Sequence, residues 1–273
     1  MLLGCDFSSA PTSRKPVVLA LGVAQEGGVR LSRLEHFSSL DAWHRWLADT
    51  PEWIGAFDFP FGLPRELVAH LGWPPQWPAL IAHYAGLSRA GIREAFAAFC
   101  AARPVGGKFA HRATDGPAGS SPSMKWVNPP VAFMLHAGVP RLLEAGAALP
   151  GLHVPAGGMA RIALEGYPGL LARELIGRRS YKSDNAASQG AQHYAARIDL
   201  LAALERGGTR LGLHLFVCDA DREQLLADAK GDCIDAVLCL VQAAWGAARK
   251  SSAGPGYGLP AAMDPLEGWI LTA

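Results

Sequence analysis

The chain has 273 residues, half of them hydrophobic and 18% charged, with a formal net charge of +1. That composition excludes a disordered chain, and the length allows one large domain or two small ones. The near-neutral balance neither demands nor forbids a nucleic-acid partner, because binding depends on local patches. No apolar run reaches the length that crosses a bilayer, and no basic segment precedes the first apolar residues, so a soluble cytoplasmic protein with no membrane partner is expected. The five cysteines, Cys5, Cys100, Cys218, Cys233 and Cys239, show no C-x-x-C spacing and read as reduced, mostly buried thiols rather than zinc ligands.

Residues 2–6, "LLGCD", read as a short buried strand that ends on Asp6. Residues 16–24, "PVVLALGVA", read as a second strand, "QEGG" as a hairpin turn, and residues 29–37 as a third strand. Ser39 is placed to cap an amphipathic helix, "LDAWHRWLAD", with Trp43, Trp46 and Leu47 on one side and Pro51 beyond its end. Residues 53–58 form a fourth strand that ends on Asp58. The turns make the first three strands antiparallel neighbours, and the helical crossover makes the fourth a parallel partner of the first. Asp6 and Asp58 then lie at the carboxyl end of adjacent strands, where open α/β sheets place their sites.

Residues 63–155 differ in texture. Helical patterns such as "IREAFAAFCAA" alternate with the Pro- and Gly-rich stretches "GWPPQWP", "ARPVGGKFAHRATDGPAGSSPS" and "NPP", which reads as a mostly helical insertion with long loops. Residues 161–165, "RIALE", resume the core with a strand ending on Glu165. Helices are expected at 170–176, 187–205 and 232–247, "EGWIL" as a last short strand, and "LGLHLFVC" as a strand or the start of a helix. The whole is expected to be one domain, residues 1–273, with the insertion inside it.

Each acid has a plain reading. Asp6 and Asp58 can start turns, Glu165 can be an edge glutamate, and Asp232 with Asp235 can form an N-cap and capping box. The functional reading uses the same positions. Asp232 and Asp235, three apart, share a helix face, and Ala236, Ala243 and Ala244 let that helix lie close to a sheet. Separate segments therefore each offer a carboxylate at a strand end or helix start. Hard oxygen donors of this kind suit Mg2+ or Mn2+, which activates water and clamps a phosphodiester. His111, Arg112 and Thr114, in a Gly/Pro-rich loop, and Lys182, in "RRSYKSDN", are the candidates to hold phosphate, or else lie on a solvated surface. Trp73 and Trp77 can stack bases or pack on prolines.

The strand–strand–strand–helix–strand order with acids on strands one and four resembles the ribonuclease H-like fold. The blocks "GCDFSSAP", "FDFPFGLP", "LEGYPGLLAR…YKSD" and "GDCIDAVLCLVQAAWGA", in that order, resemble a bacterial and archaeal family described as predicted RNase H-like nucleases; "HRATDG…SPS" and "EGWI" fit the same pattern. The resemblance implies an α/β mixed sheet flanked by helices. It also implies a nuclease site of Asp6, Asp58 and Asp235, with Asp232 and Glu165 as further metal ligands. Two features depart from better-known RNase H-like nucleases: the long insertion after strand four, and Asp58 where many use a glutamate.

The leading expectation is a metal-dependent nuclease or phosphodiesterase acting on DNA or RNA. A non-catalytic module of the same fold, using the acidic pocket for a ligand or partner, is the alternative. An ATP-dependent phosphotransferase of the actin-like and sugar-kinase group shares the strand order but needs two such cores and glycine-rich phosphate loops, for which "QEGG" is a weak candidate.

Overall fold

A computed structural model describes residues 1–251 and 254–273. Strands β1 (Leu2–Asp6), β2 (Val17–Gln25) and β3 (Gly28–Phe37) form an antiparallel meander. Helix α1 (Leu40–Asp49) then crosses to β4 (Trp53–Phe57), which pairs in parallel with β1. Two further parallel strands, β5 (Arg161–Glu165) on β4 and β6 (His214–Phe216) on β3, complete a six-stranded mixed sheet in the order β5-β4-β1-β2-β3-β6. The fold is α/β, with helices on both faces of the sheet.

The local chemistry explains the elements. Strands β1 and β4 lie in the middle of the sheet with both faces covered, so they are apolar almost throughout. Ser39 caps α1 by accepting a hydrogen bond from the Ala42 amide, and Trp43 and Leu47 turn into the core. Arg161 secures the end of that helix by donating to the carbonyls of Ala48 and Thr50, at 2.7 Å each.

Residues 63–155 supply α2 (Arg65–His70), α3 (Trp77–Ala85), α4 (Arg89–Ala101), the single turn α5 (Asp115–Ala118) and α6 (Val131–Glu144). These helices share one continuous core with a face of the sheet: Trp77, Leu80, Tyr84 and Phe96 join Trp43, Phe57 and Phe59 in a single buried cluster. Trp77 donates its indole N–H to the Phe61 carbonyl at 2.7 Å, and Trp73 packs against Tyr84 and Phe96, so both are packing residues. The opposite face carries α7 (Pro168–Ile176), α8 (Ala191–Glu205), α9 (Asp219–Ala227) and α10 (Asp232–Ala247).

Some sequence expectations are resolved or corrected by the structure. "LGLHLFVC" resolves into β6 followed by α9, which the sequence reading did not foresee. "EGWIL" makes only an isolated parallel bridge, Glu165 to Ile270, because Gly268 turns the chain at φ 72° just before it. The helix expected from residue 187 begins at Ala191. The "QEGG" hairpin lies at the opposite end of β2 from Val18, the partner of Asp6, so it cannot cradle a phosphate beside that acid. Among the described residues, no helix is long and apolar enough to cross a membrane.

Helix α10 is the centre of its layer: 14 of its 16 residues are buried. It lies directly on β1, and a Cβ added at Gly4 would stand 2.1 Å from both the Ala236 carbonyl oxygen and the Leu240 nitrogen. Both are backbone atoms and cannot swing aside, so only glycine lets the helix and strand meet at this distance. Ala56, Cys239 and Ala243 fill the neighbouring contact. Gly4→Ala is expected to destabilise the fold by at least about 1–3 kcal/mol. Urea unfolding checks this, and an unchanged midpoint would contradict the close contact.

Candidate functional site

The parallel register pairs Cys5 with Phe57, which sets Asp6 beside Asp58 where the two strands end. The Asp58 amide donates to the Cys5 carbonyl at 2.9 Å and extends the pairing by one residue. Above them α10 begins. Its cap residue is Gly231, at φ 77°, which has no side chain to cap the helix. Asp232 and Asp235 are therefore inside the first turn and do not form a capping box. Asp228 takes over part of that work by accepting from the Cys233 amide at 2.8 Å. Both helix carboxylates are thus left to meet Asp6 and Asp58. The dipole of a long helix favours negative charge at this end.

Four carboxylates in one half-buried place interact strongly. Burial raises the Asp6 carboxyl well above the usual carboxylate range, and Asp235, Asp232 and Asp58 raise it further while Lys182 opposes them. Asp58 is pushed up to about 7, by burial first and then by Asp235. Asp232 rises to about 6, by burial and then by Asp228. Among the described residues, none donates a hydrogen bond to the side chains of Asp6, Asp58 or Asp232.

Asp235 is different. It is fully buried, and the Tyr181 hydroxyl and the Lys182 ammonium donate to its two oxygens. Arg197, buried on α8, fixes that segment by donating to the Tyr181 carbonyl at 2.8 Å and the Leu226 carbonyl at 2.9 Å. The Lys182 side chain remains 43% exposed, so its ammonium stands between the acids and solvent. Burial lowers its pKa, but the charges of Asp235, Asp6 and Asp58 and the hydrogen bond to Asp235 raise it by more in sum, so it stays charged.

The remaining expected residues are distributed unevenly. Glu165 ends β5, beside β4, but its carboxylate is already engaged: it accepts from Arg112 Nη2 at 2.6 Å, Arg112 Nη1 at 2.8 Å and the Phe61 amide at 2.9 Å. Arg112 is likewise buried and committed, pairing also with Asp115 at 2.9 Å and donating to the Glu267 carbonyl at 3.1 Å. Thr114 is fully buried and accepts from the Ile270 amide at 3.0 Å. His111 is exposed and lines neither cavity beside the acids. Thus Lys182 reaches the acids directly, while Glu165, Arg112 and Thr114 brace the adjoining wall.

Two cavities meet at the cluster. A groove of about 730 Å³ runs over Asp6, Asp58 and Asp232 and carries Lys15, Arg89 and Lys230 on its sides. A smaller cavity of about 220 Å³ lies toward β5, behind Asp58 and Lys182. Sequence reasoning missed the three groove cations. Lys230 stands next to "GD" and was accessible to it, but Arg89 arrives from the insertion and carries no local signal.

Among the described residues, no three His, Cys, Asp or Glu side chains stand arranged to hold a metal ion as they are. The donor set nonetheless fits a hard divalent cation in number and chemistry: it is all carboxylate, three members have no hydrogen-bond donor, and their mutual repulsion opposes full ionisation. Comparison with protein-family models, curated proteins and solved structures found no match for this chain.

The raised carboxyls have a consequence for stability. An acid whose folded pKa of about 7 exceeds its unfolded value near 3.9 binds more protons when folded, so its stabilising contribution is lost as pH rises through that window. With divalent metal chelated, the stability of Asp58→Asn relative to the unmutated chain is expected to improve by roughly 2 kcal/mol from about pH 5 to about pH 8. Chemical unfolding at the two pH values measures it. A pH-independent difference would show that Asp58 is not held in a repulsive cluster.

Proposed function

We propose that the chain is a divalent-metal-dependent phosphodiesterase of ribonuclease H-like architecture that cleaves nucleic acid. One observation carries the reading: two adjacent parallel strands and the first turn of α10 deliver Asp6, Asp58, Asp232 and Asp235 to one place, and three of those carboxylates lack any donor among the described residues. A carboxylate cluster of this kind is unfavourable unless positive charge enters it.

Asp6 and Asp58 with Asp232 or Asp235 would hold Mg2+ or Mn2+. When bound, such an ion lowers the pKa of the attacking water and offsets charge on the phosphodiester oxygens. The chain's own residues do the rest. Asp6 and Asp58 are fixed by paired strands, so their carboxylates are held without a search of conformations. Lys182, now hydrogen-bonded to Asp235, presents an ammonium at the solvent edge of the cluster, where it can donate to a phosphate oxygen. Lys15, Arg89 and Lys230 line the groove and give an anionic backbone a path across the acids. The buried Arg112–Glu165 pair holds the end of β5 against the insertion and keeps that wall rigid.

A second reading has an observation of its own. The Lys182 ammonium and Tyr181 hydroxyl already satisfy Asp235, so a cation of the protein itself partly neutralises the site. On that reading the fold binds a ligand or partner without cleaving it. Metal dependence separates the two. Mn2+ is expected to raise the melting temperature, and Asp58→Asn to abolish most of the rise. Cleavage of labelled oligonucleotides in Mn2+ should fall at least about 100-fold in Asp6→Asn and Asp58→Asn, since losing a direct ligand exceeds losing a residue that merely supports one. Cleavage unaffected by chelator or by either variant would refute the proposal, and no cleavage with intact binding would favour the second reading.

A further inference from the structure

The smaller cavity has a size and lining that the acids do not explain. At about 220 Å³ it falls below the range that holds a drug-sized ligand, while the groove of about 730 Å³ lies well inside that range. The small cavity is walled by apolar groups, chiefly Phe59, Met134, Tyr167 and Ile270, and backed by the Arg112–Glu165 pair. Ser121 contributes a hydroxyl that forms no hydrogen bond among the described residues. A flat, mostly apolar ring with polar edges fits this lining; a phosphate does not.

The two cavities share Asp58, Pro129, Met134 and Lys182. The reacting centre thus lies on the saddle between a groove flanked by Lys15, Arg89 and Lys230 and a mostly apolar recess. A nucleotide strand crossing that saddle would lay its phosphate over the acids and turn the adjoining base into the recess. Resting on the phosphodiesterase reading above, we propose that the recess receives one unpaired nucleobase, and that the substrate is single-stranded nucleic acid. A base within duplex is paired and stacked, and drawing it out costs a few kcal/mol, so continuous duplex is disfavoured. Burial of one base against apolar and aromatic side chains returns an affinity gain of about tenfold or more.

The test compares a fluorescein-labelled oligothymidylate of about 12 nucleotides with the same strand annealed to its complement and with an abasic strand of equal length. Binding by anisotropy and cleavage are both read in Mn2+, alongside the Mn2+-dependent melting temperature. The intact chain should bind and cut the base-bearing single strand about tenfold better than either competitor. Met134→Trp and Ser121→Tyr fill the recess from separate walls. Each should lose that preference while keeping the Mn2+-dependent rise in melting temperature, which also shows that the variant has folded. Equal use of duplex, abasic and base-bearing strands, or a preference that survives in both folded variants, would overturn the recess as a base site while leaving the metal site standing. A base-dependent binding preference without cleavage by the intact chain would uphold the recess and refute the phosphodiesterase reading. Binding to none of the strands would refute both.

Discussion

The contact between α10 and β1 at Gly4 sets the rest of the structure. A helix backbone that rests on a central strand with no side chain between them fixes the height, direction and starting point of that helix. Because α10 begins at the carboxyl end of β1 and β4, its first turn delivers Asp232 and Asp235 to the place where Asp6 and Asp58 emerge. The glycine cap at Gly231 and the substitute acceptor at Asp228 then leave those two carboxylates uncommitted to the helix end. Packing that looks purely structural is what assembles the charge.

The charge in turn gives the site its character. Three carboxyls lie above the ordinary range, each raised mainly by burial. Lys182 and Tyr181 hydrogen-bond only one member of the cluster, Asp235, while the Lys182 charge offsets part of the repulsion at the other three. The result is a centre of incomplete neutralisation beneath an open groove. A cation or a protonated acid completes it, and the Lys182 side chain stands partly exposed at its edge. The wall beside it behaves in the opposite way: Arg112, Glu165 and Asp115 satisfy one another in full burial and keep that boundary of the small cavity rigid.

Much of this was legible in the sequence because it rests on local signals. Apolar runs ending on Asp6 and Asp58, a turn between two strands and a capped helix before a fourth determine the strand order and place both acids at one edge. The small residues of α10 announced its close packing. Long-range pairing was not legible. Nothing near Arg112 reveals that its guanidinium is spent on Glu165, 53 positions away, and the same ignorance made both look available for ligands. Capping was misassigned at Asp232 because Gly231 adopts a left-handed conformation that removes the need for a side-chain cap. Arg89 and Lys15 reach the groove from distant segments, so only the folded chain shows them together.

We propose that this carboxylate cluster, assembled by the α10–β1 contact, is a divalent-cation site. Anomalous diffraction from crystals soaked in Mn2+ tests it most directly. The account predicts an anomalous peak within ligand distance of both Asp6 and Asp58, and of Asp232 or Asp235, with Lys182 displaced or turned outward. A well-ordered map with no peak there, and with Lys182 still bonded to Asp235, would contradict it.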